Sequence, residues 1–102
     1  MISKSHIPYD RVRIEAFCRK WGVDELSLFG SILREDFRAN SDVDVLVLLT
    51  PGRFPEIDEW EAMKVELGKI FGRSVDLISK RGLTNPFLRH QILTNREIVY
   101  AA

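Results

Sequence analysis

The sequence predicts an α/β (α+β) fold, one small mixed β-sheet with helices packed on it. Three observations lead there. Two helical stripes of apolar residues end at Gly22 and Gly72, short β-rich runs follow each of them, and the run from Val43 to Leu49 is apolar but for Asp44. An apolar run rich in β-branched residues suits a strand covered on both faces, and strands alternating with helices suit helices layered on a sheet. This pattern does not specify the strand order.

From Asp10 to Trp21, Ile14, Phe17, Cys18 and Trp21 recur at the i, i+3, i+4, i+7 spacing of one helix face, and Gly22 supplies a left-handed stop. Leu26, Leu28 and Phe29 form a short strand ending at Gly30-Ser31. The following SILRED makes a helical turn or two, with Ser31 as a candidate cap. The strand from Asp42 to Leu49 stops at Thr50-Pro51-Gly52, a turn signal. A long helix follows with Pro55 in its first turn, a stripe of Trp60, Met63, Leu67, Ile70 and Phe71, and a stop at Gly72. Val75 to Ile78 makes the next strand. Asn85-Pro86 reads as an N-cap and an N1 proline opening a helix to about Thr94, and Ile98, Val99 and Tyr100 make a last edge strand.

A chain of 102 residues makes one domain, 1–102, with room for one site. Fifteen basic and fifteen acidic residues cancel, so no global field draws the molecule to nucleic acid or to anionic lipid. The single cysteine, Cys18, excludes an internal disulfide and a cysteine-based zinc site, and no apolar run reaches the length of a membrane span. The start, MISKSHIPYD, lacks the apolar core of a signal peptide, so the expected compartment is the cytoplasm. His6 and His90 have no spaced partners that would make a metal site, and Lys80, Arg81, Arg89 and Arg96 read as solvated surface unless the fold gathers them.

Asp42 and Asp44 stand at the mouth of the apolar strand, where side chains at i and i+2 point to one face. Two like charges held that close repel, so either one takes up a proton or a cation sits between them. Alone, the pair reads as a strand-entry cap, Gly30-Ser31 as a common turn, and Asp76 as a solvated strand end. Together they suit nucleotidyl transfer. Breaking the α–β bond of a nucleoside triphosphate requires clamping a polyanion, which hard Mg²⁺ ions on carboxylate oxygens do well. Two ions about 3.5–4 Å apart steady the attacking and leaving oxygens of an in-line displacement. A glycine lets the backbone approach phosphate, and turn amides donate to it. Arg34, between these groups, either binds phosphate or pairs with Glu35 or Asp36 on a solvated turn.

Gly30-Ser31, ten further residues, then Asp42-Val43-Asp44 resembles the GSx10DxD signature of the polymerase-beta-type nucleotidyltransferases, and more specifically of the minimal nucleotidyltransferases, the MNT proteins. The resemblance takes in VDLIS around Asp76 and the RGLTNPFLRHQIL segment after it, covering roughly residues 24–100. It implies the polymerase-beta-type fold, with Asp42, Asp44 and Asp76 as catalytic residues and ligands of two Mg²⁺ ions. It further implies that Gly30, Ser31 and Arg34 hold the nucleotide. Glu35 departs from relatives that carry glycine after the arginine. The activity implied is transfer of AMP from ATP to a hydroxyl, tyrosine in some members, of a HEPN-domain toxin for which the MNT protein is the antitoxin. Because the chain spends nearly all its residues on the nucleotide-binding core, the acceptor surface then comes from a partner or a second copy. The alternatives are an antitoxin that neutralises its partner by binding alone, and a domain that binds nucleotide without turnover.

Overall fold

The computed structural model describes residues 9–30 and 42–102. Among them the order is α1 (Arg11–Trp21), β1 (Val23–Phe29), β2 (Val43–Leu49), α2 (Ile57–Phe71), β3 (Val75–Ser79), a short 3-10 turn (Lys80–Gly82), α3 (Pro86–Thr94) and β4 (Arg96–Ala101). The expected helical turn at SILRED lies outside the described residues.

Asp10 starts α1 by accepting from the backbone N–H groups of Val12 and Arg13 at 3.0 and 3.3 Å, and Gly22 ends it at φ 71°. Pro55 does not open α2 as expected. Glu56 takes the N-cap position instead, because its backbone N–H donates to the Glu59 carboxylate at 3.2 Å, a reciprocal capping arrangement that sets the first turn at Ile57. The hydrogen bond from Glu56 and the Arg53 guanidinium hold the Glu59 carboxyl below the ordinary carboxylate value. Asn85 caps α3 through Phe87 and Leu88, with Pro86 at N1.

The four strands lie in the order β3-β2-β1-β4, with β1 antiparallel to β2 and β4, and β2 parallel to β3. A parallel pair needs a crossover, and α2 is that crossover. β1, β3 and β4 run longer than the apolar pattern indicates, whereas β2 begins at Val43, one residue after the expected Asp42. β1 begins at Val23, and the Asp24 carboxylate accepts from the Thr50 hydroxyl at 2.9 Å. β4 begins at Arg96.

Strand parity sorts the side chains onto two faces. Val43, Val45, Val47 and Leu49 of β2, Leu26 and Leu28 of β1, and Val75 and Leu77 of β3 meet Ile14, Phe17, Met63 and Leu67 of α1 and α2 in the main core. Cys18 is buried there, and burial pushes its thiol up to about 12. Lys20 and the Trp21 indole N–H both meet the Glu66 carboxylate, at 3.2 and 2.8 Å, and tie α1 to α2. On the opposite face a smaller cluster of Phe29, Leu46, Leu83 and Ile92 seats the 3-10 turn and α3. That second face also carries Asp44 and Asp76.

Candidate active site

The site begins with a cross-strand row. Asp44 is the register partner of Asp76 on the parallel neighbour β3 and of Phe29 on the antiparallel neighbour β1, and Phe29 in turn pairs with Arg96 on β4. Neighbouring strands lie about 4.8 Å apart, so the two aspartate backbones are adjacent and aim to one face. Asp42 stands immediately before β2, and Val43 secures that entry by donating to the Ser74 carbonyl at 2.9 Å. Asp42 and Asp76 are exposed and Asp44 is half-buried.

Gly30 closes the row on the β1 side. Its φ of 73° lies in the left-handed region, and a methyl group added there would sit 2.2 Å from Asp44 Oδ2. Only glycine permits both the conformation and the approach. The Asp44 carboxylate therefore stands directly over the bend that ends β1. Ser31 and Arg34 lie outside the described residues.

These positions fit a hard cation in donor type and in backbone register, since all three aspartates offer carboxylate oxygens from neighbouring strands. The side chains do not gather by themselves. Among the described residues, no three acidic, imidazole or thiol side chains stand close enough together to hold a metal ion.

Two further features were not singled out in the sequence. The first is an ionic network farther along the same face, where Arg96 donates to the Glu25 carboxylate and, at 3.2 Å, to the Ser27 hydroxyl, while Lys80 lies 3.6 Å from Glu25. Ser27 is fully buried. The network turns Lys80 and Arg96, expected as solvated surface, inward onto the sheet, while Arg89 donates to the Lys80 carbonyl at 3.2 Å. A lone serine between Leu26 and Leu28, with the basic set that includes Lys80 and Arg96, was its sequence signal. The second feature is a groove of about 400 Å³ between α2 and the start of β3, lined by Asp42 and Asp76 together with Glu61, Lys64, Val65 and Ser74. No motif marks it, since its α2 wall is an ordinary exposed helix face.

A nucleotidyltransferase domain model matches residues 12–99. A candidate protein adenylyltransferase of Methanocaldococcus jannaschii is 32% identical over 81 residues, covering 79% of each chain. The protein adenylyltransferase MntA of Thermococcus cleftensis is 31% identical over 79% of this chain and 77% of its own. Among solved structures, a candidate minimal nucleotidyltransferase is 33% identical, with a TM-score of 0.69 over 85% of this chain and 86% of the other. A toxin–antitoxin structure with AMP-PNP matches in fold, with a TM-score of 0.72 at 21% identity over 91% of this chain and 74% of the other. The mixed four-stranded sheet with its aspartate row, the matched domain and these relatives agree: the chain belongs to the nucleotidyltransferase domain family, among its minimal MNT members, and is an enzyme of the nucleotidyl-transfer class.

Proposed function

We propose that residues 1–102 act as one minimal nucleotidyltransferase domain that moves AMP from ATP to a protein hydroxyl, a tyrosine of a HEPN-domain toxin, and so serves as that toxin's antitoxin in the cytoplasm. The observation that carries the reading is the row in which Asp76 and Asp44 stand side by side with Gly30 bent beneath the Asp44 carboxylate. The names of the relatives, two of them for protein adenylyltransfer, support the acceptor class. Solved structures in which MntA is paired with HepT, and an MNT antitoxin with an AMPylated HEPN toxin, support the partner.

In this reading Asp42, Asp44 and Asp76 would hold two Mg²⁺ ions, whose positive charge would offset that of the triphosphate and of the oxygens that gain charge in the transfer. Gly30 leaves room for the terminal phosphates against the backbone, with Ser31 and Arg34 contributing donors. Asp76, exposed at the outer strand, takes the proton from the attacking hydroxyl and passes it to water. The phenolic oxygen bonds to the α-phosphorus, the bond from that phosphorus to the bridging oxygen breaks, and pyrophosphate departs with the electron pair.

The test is mass spectrometry of a HEPN-domain protein encoded beside this chain, after incubation with the purified protein, ATP and Mg²⁺. The expected result is a gain of one or more AMP units on a tyrosine, with ATP preferred over the other ribonucleotides. Tight complex formation with no mass gain, and full protection of cells by Asp42→Ala/Asp44→Ala, would establish neutralisation by binding alone.

A further inference from the structure

We infer that this chain docks on a second copy of itself, the exposed first turn of α3 in one copy receiving the exposed start of α2 from the other. This goes beyond the adenylyl-transfer reading and does not depend on it. The three most exposed large apolar side chains among the described residues are Ile57 and Phe87, each 85% exposed, and Phe54 at 81%. An exposed apolar residue standing singly needs no explanation. These three instead fall in two short segments, and each segment pairs a phenylalanine with an exposed branched aliphatic residue, Phe54 with Ile57 and Phe87 with Leu88.

Charge separates the two segments. From Leu77 to Arg96 the sequence holds Lys80, Arg81, Arg89 and Arg96 and no Asp or Glu, whereas from Phe54 to Ala62 it holds Glu56, Asp58, Glu59 and Glu61 and no Lys or Arg. The chain as a whole has no net charge, so the two signs are segregated along it. The fold cancels part of each. Glu25 takes up Lys80 and Arg96, and Arg53 pairs with Glu59 at 3.0 Å. Arg81 and Arg89 stay exposed, and the bond from Arg89 to the Lys80 carbonyl holds the basic 3-10 turn against α3. Glu56, Asp58 and Glu61 likewise stay exposed around Ile57.

Each surface is therefore an apolar pair rimmed by one sign of charge, the layout of a small interface with an apolar centre and a polar rim. The two match in both respects. They do not cover one another within one chain, since Phe54, Ile57 and Phe87 would then be buried. Ile57 and Glu61, at i and i+4, share one face of α2, and Phe54 stands just before the N-cap Glu56. In α3 only Ile92 is buried, seated with Leu83 on Phe29 and Leu46, which leaves the first turn uncovered. That cluster lies on the aspartate face, so a docked copy stands on the side of the sheet that carries the carboxylate row. Nucleic acid or an acidic peptide on α3 would leave the apolar pair at α2 uncovered, whereas a second copy covers both. The contact joins unlike surfaces, so two copies close on each other when both such contacts form at once and otherwise grow into chains.

The test is sedimentation velocity of the full chain over a range of protein and salt concentrations. The wild type should show a mass that rises with concentration and falls with added salt. Arg81→Glu/Arg89→Glu sets like charges against each other and should weaken self-association about tenfold or more. Asp58→Lys/Glu61→Lys should do the same. Mixing the two variants should restore association, because each reversed surface then meets an opposite charge on the other variant. Phe87→Ser changes a position that is 85% exposed, so it should weaken association while leaving the melting temperature unchanged. A chain that stays monomeric at every concentration, association indifferent to salt or to both reversals, or a mixture no better than either variant alone overturns the proposal. So does a monomeric chain whose Phe87 and Arg89 amides shift in NMR spectra with poly-L-glutamate or a single-stranded oligonucleotide, which would give α3 a different partner.

Discussion

Replacing Gly30 with alanine tests the close approach on which the site depends. Two costs combine. Alanine at a φ of 73° pays the left-handed penalty of about 1–2 kcal/mol. Its methyl would also sit 2.2 Å from Asp44 Oδ2, well inside any real contact, so the carboxylate must move. Forced overpacking of this kind costs about 1–3 kcal/mol. Gly72 supplies the control, since its φ is 68° and an added methyl would meet nothing within 4 Å. Gly72→Ala should therefore lose only the backbone share, and Gly30→Ala about 1–3 kcal/mol more. For a domain of this size each kcal/mol is worth about 4–8 °C in melting temperature, so thermal or urea unfolding resolves the two. In an Asp44→Ala background the excess should vanish, leaving a coupling energy of about 1–3 kcal/mol in the double-mutant cycle. Equal losses for Gly30→Ala and Gly72→Ala, with a cycle additive to within about 0.5 kcal/mol, would refute the placement of the Asp44 carboxylate over the bend.

Asp44→Asn keeps the shape and removes one like charge from the acidic row, so it should melt above the wild type in EDTA. Adding Mg²⁺ and a non-hydrolysable ATP analogue should reverse that order, because ligand at a hundredfold excess over Kd stabilises the wild type by about 2.7 kcal/mol; equal shifts would exclude Asp44 as a ligand. Asp76→Asn alters an exposed side chain, so its stability should stay within about 0.5 kcal/mol of the wild type while mass spectrometry shows AMP transfer abolished. Buried Cys18 is raised from 9.0 to about 12, first by burial and then by Glu15. Between those pH values the unfolded chain has released a proton that the folded chain retains, so stability is fully present below pH 9 and falls above it by up to about 1.4 kcal/mol per unit. Urea midpoints should fall more steeply over this range for the wild type than for Cys18→Ala, and parallel slopes would contradict that burial.

Much of the fold was legible because the cues were local and chemical. Gly22 and Gly72 stop helices where the left-handed region is needed, Asn85-Pro86 opens α3, and the apolar stripe of α2 faces the sheet. Parity within β2 was legible too, since alternation sets Asp44 opposite the buried Val43 and Val45. What the sequence could not carry was anything settled between elements. The parallel register that sets Asp76 beside Asp44, the capture of Lys80 and Arg96 by Glu25, and the groove walled by Glu61 and Lys64 all depend on which strands become neighbours. The strand ends were underestimated because Asp24, Glu25 and Arg96 are polar, and their partners, Thr50 for the first and the Glu25–Arg96 pair for the others, lie far off in sequence.

The two faces of the sheet divide the labour between folding and chemistry. Sixteen of the described buried residues gather in the core under α1 and α2, and only four form the cluster on the aspartate face. Most of the apolar area removed from water, and hence most of the hydrophobic stabilisation, therefore belongs to the face without chemistry. That asymmetry lets β2 alternate, with Val43, Val45 and Val47 packed on one side and Asp44 presented on the other. A one-residue slip of β2 would bury Asp44 among Phe17, Met63 and Leu67 while exposing the valines, so the core enforces the register that the site needs. The apolar core thereby fixes which face the acidic row occupies.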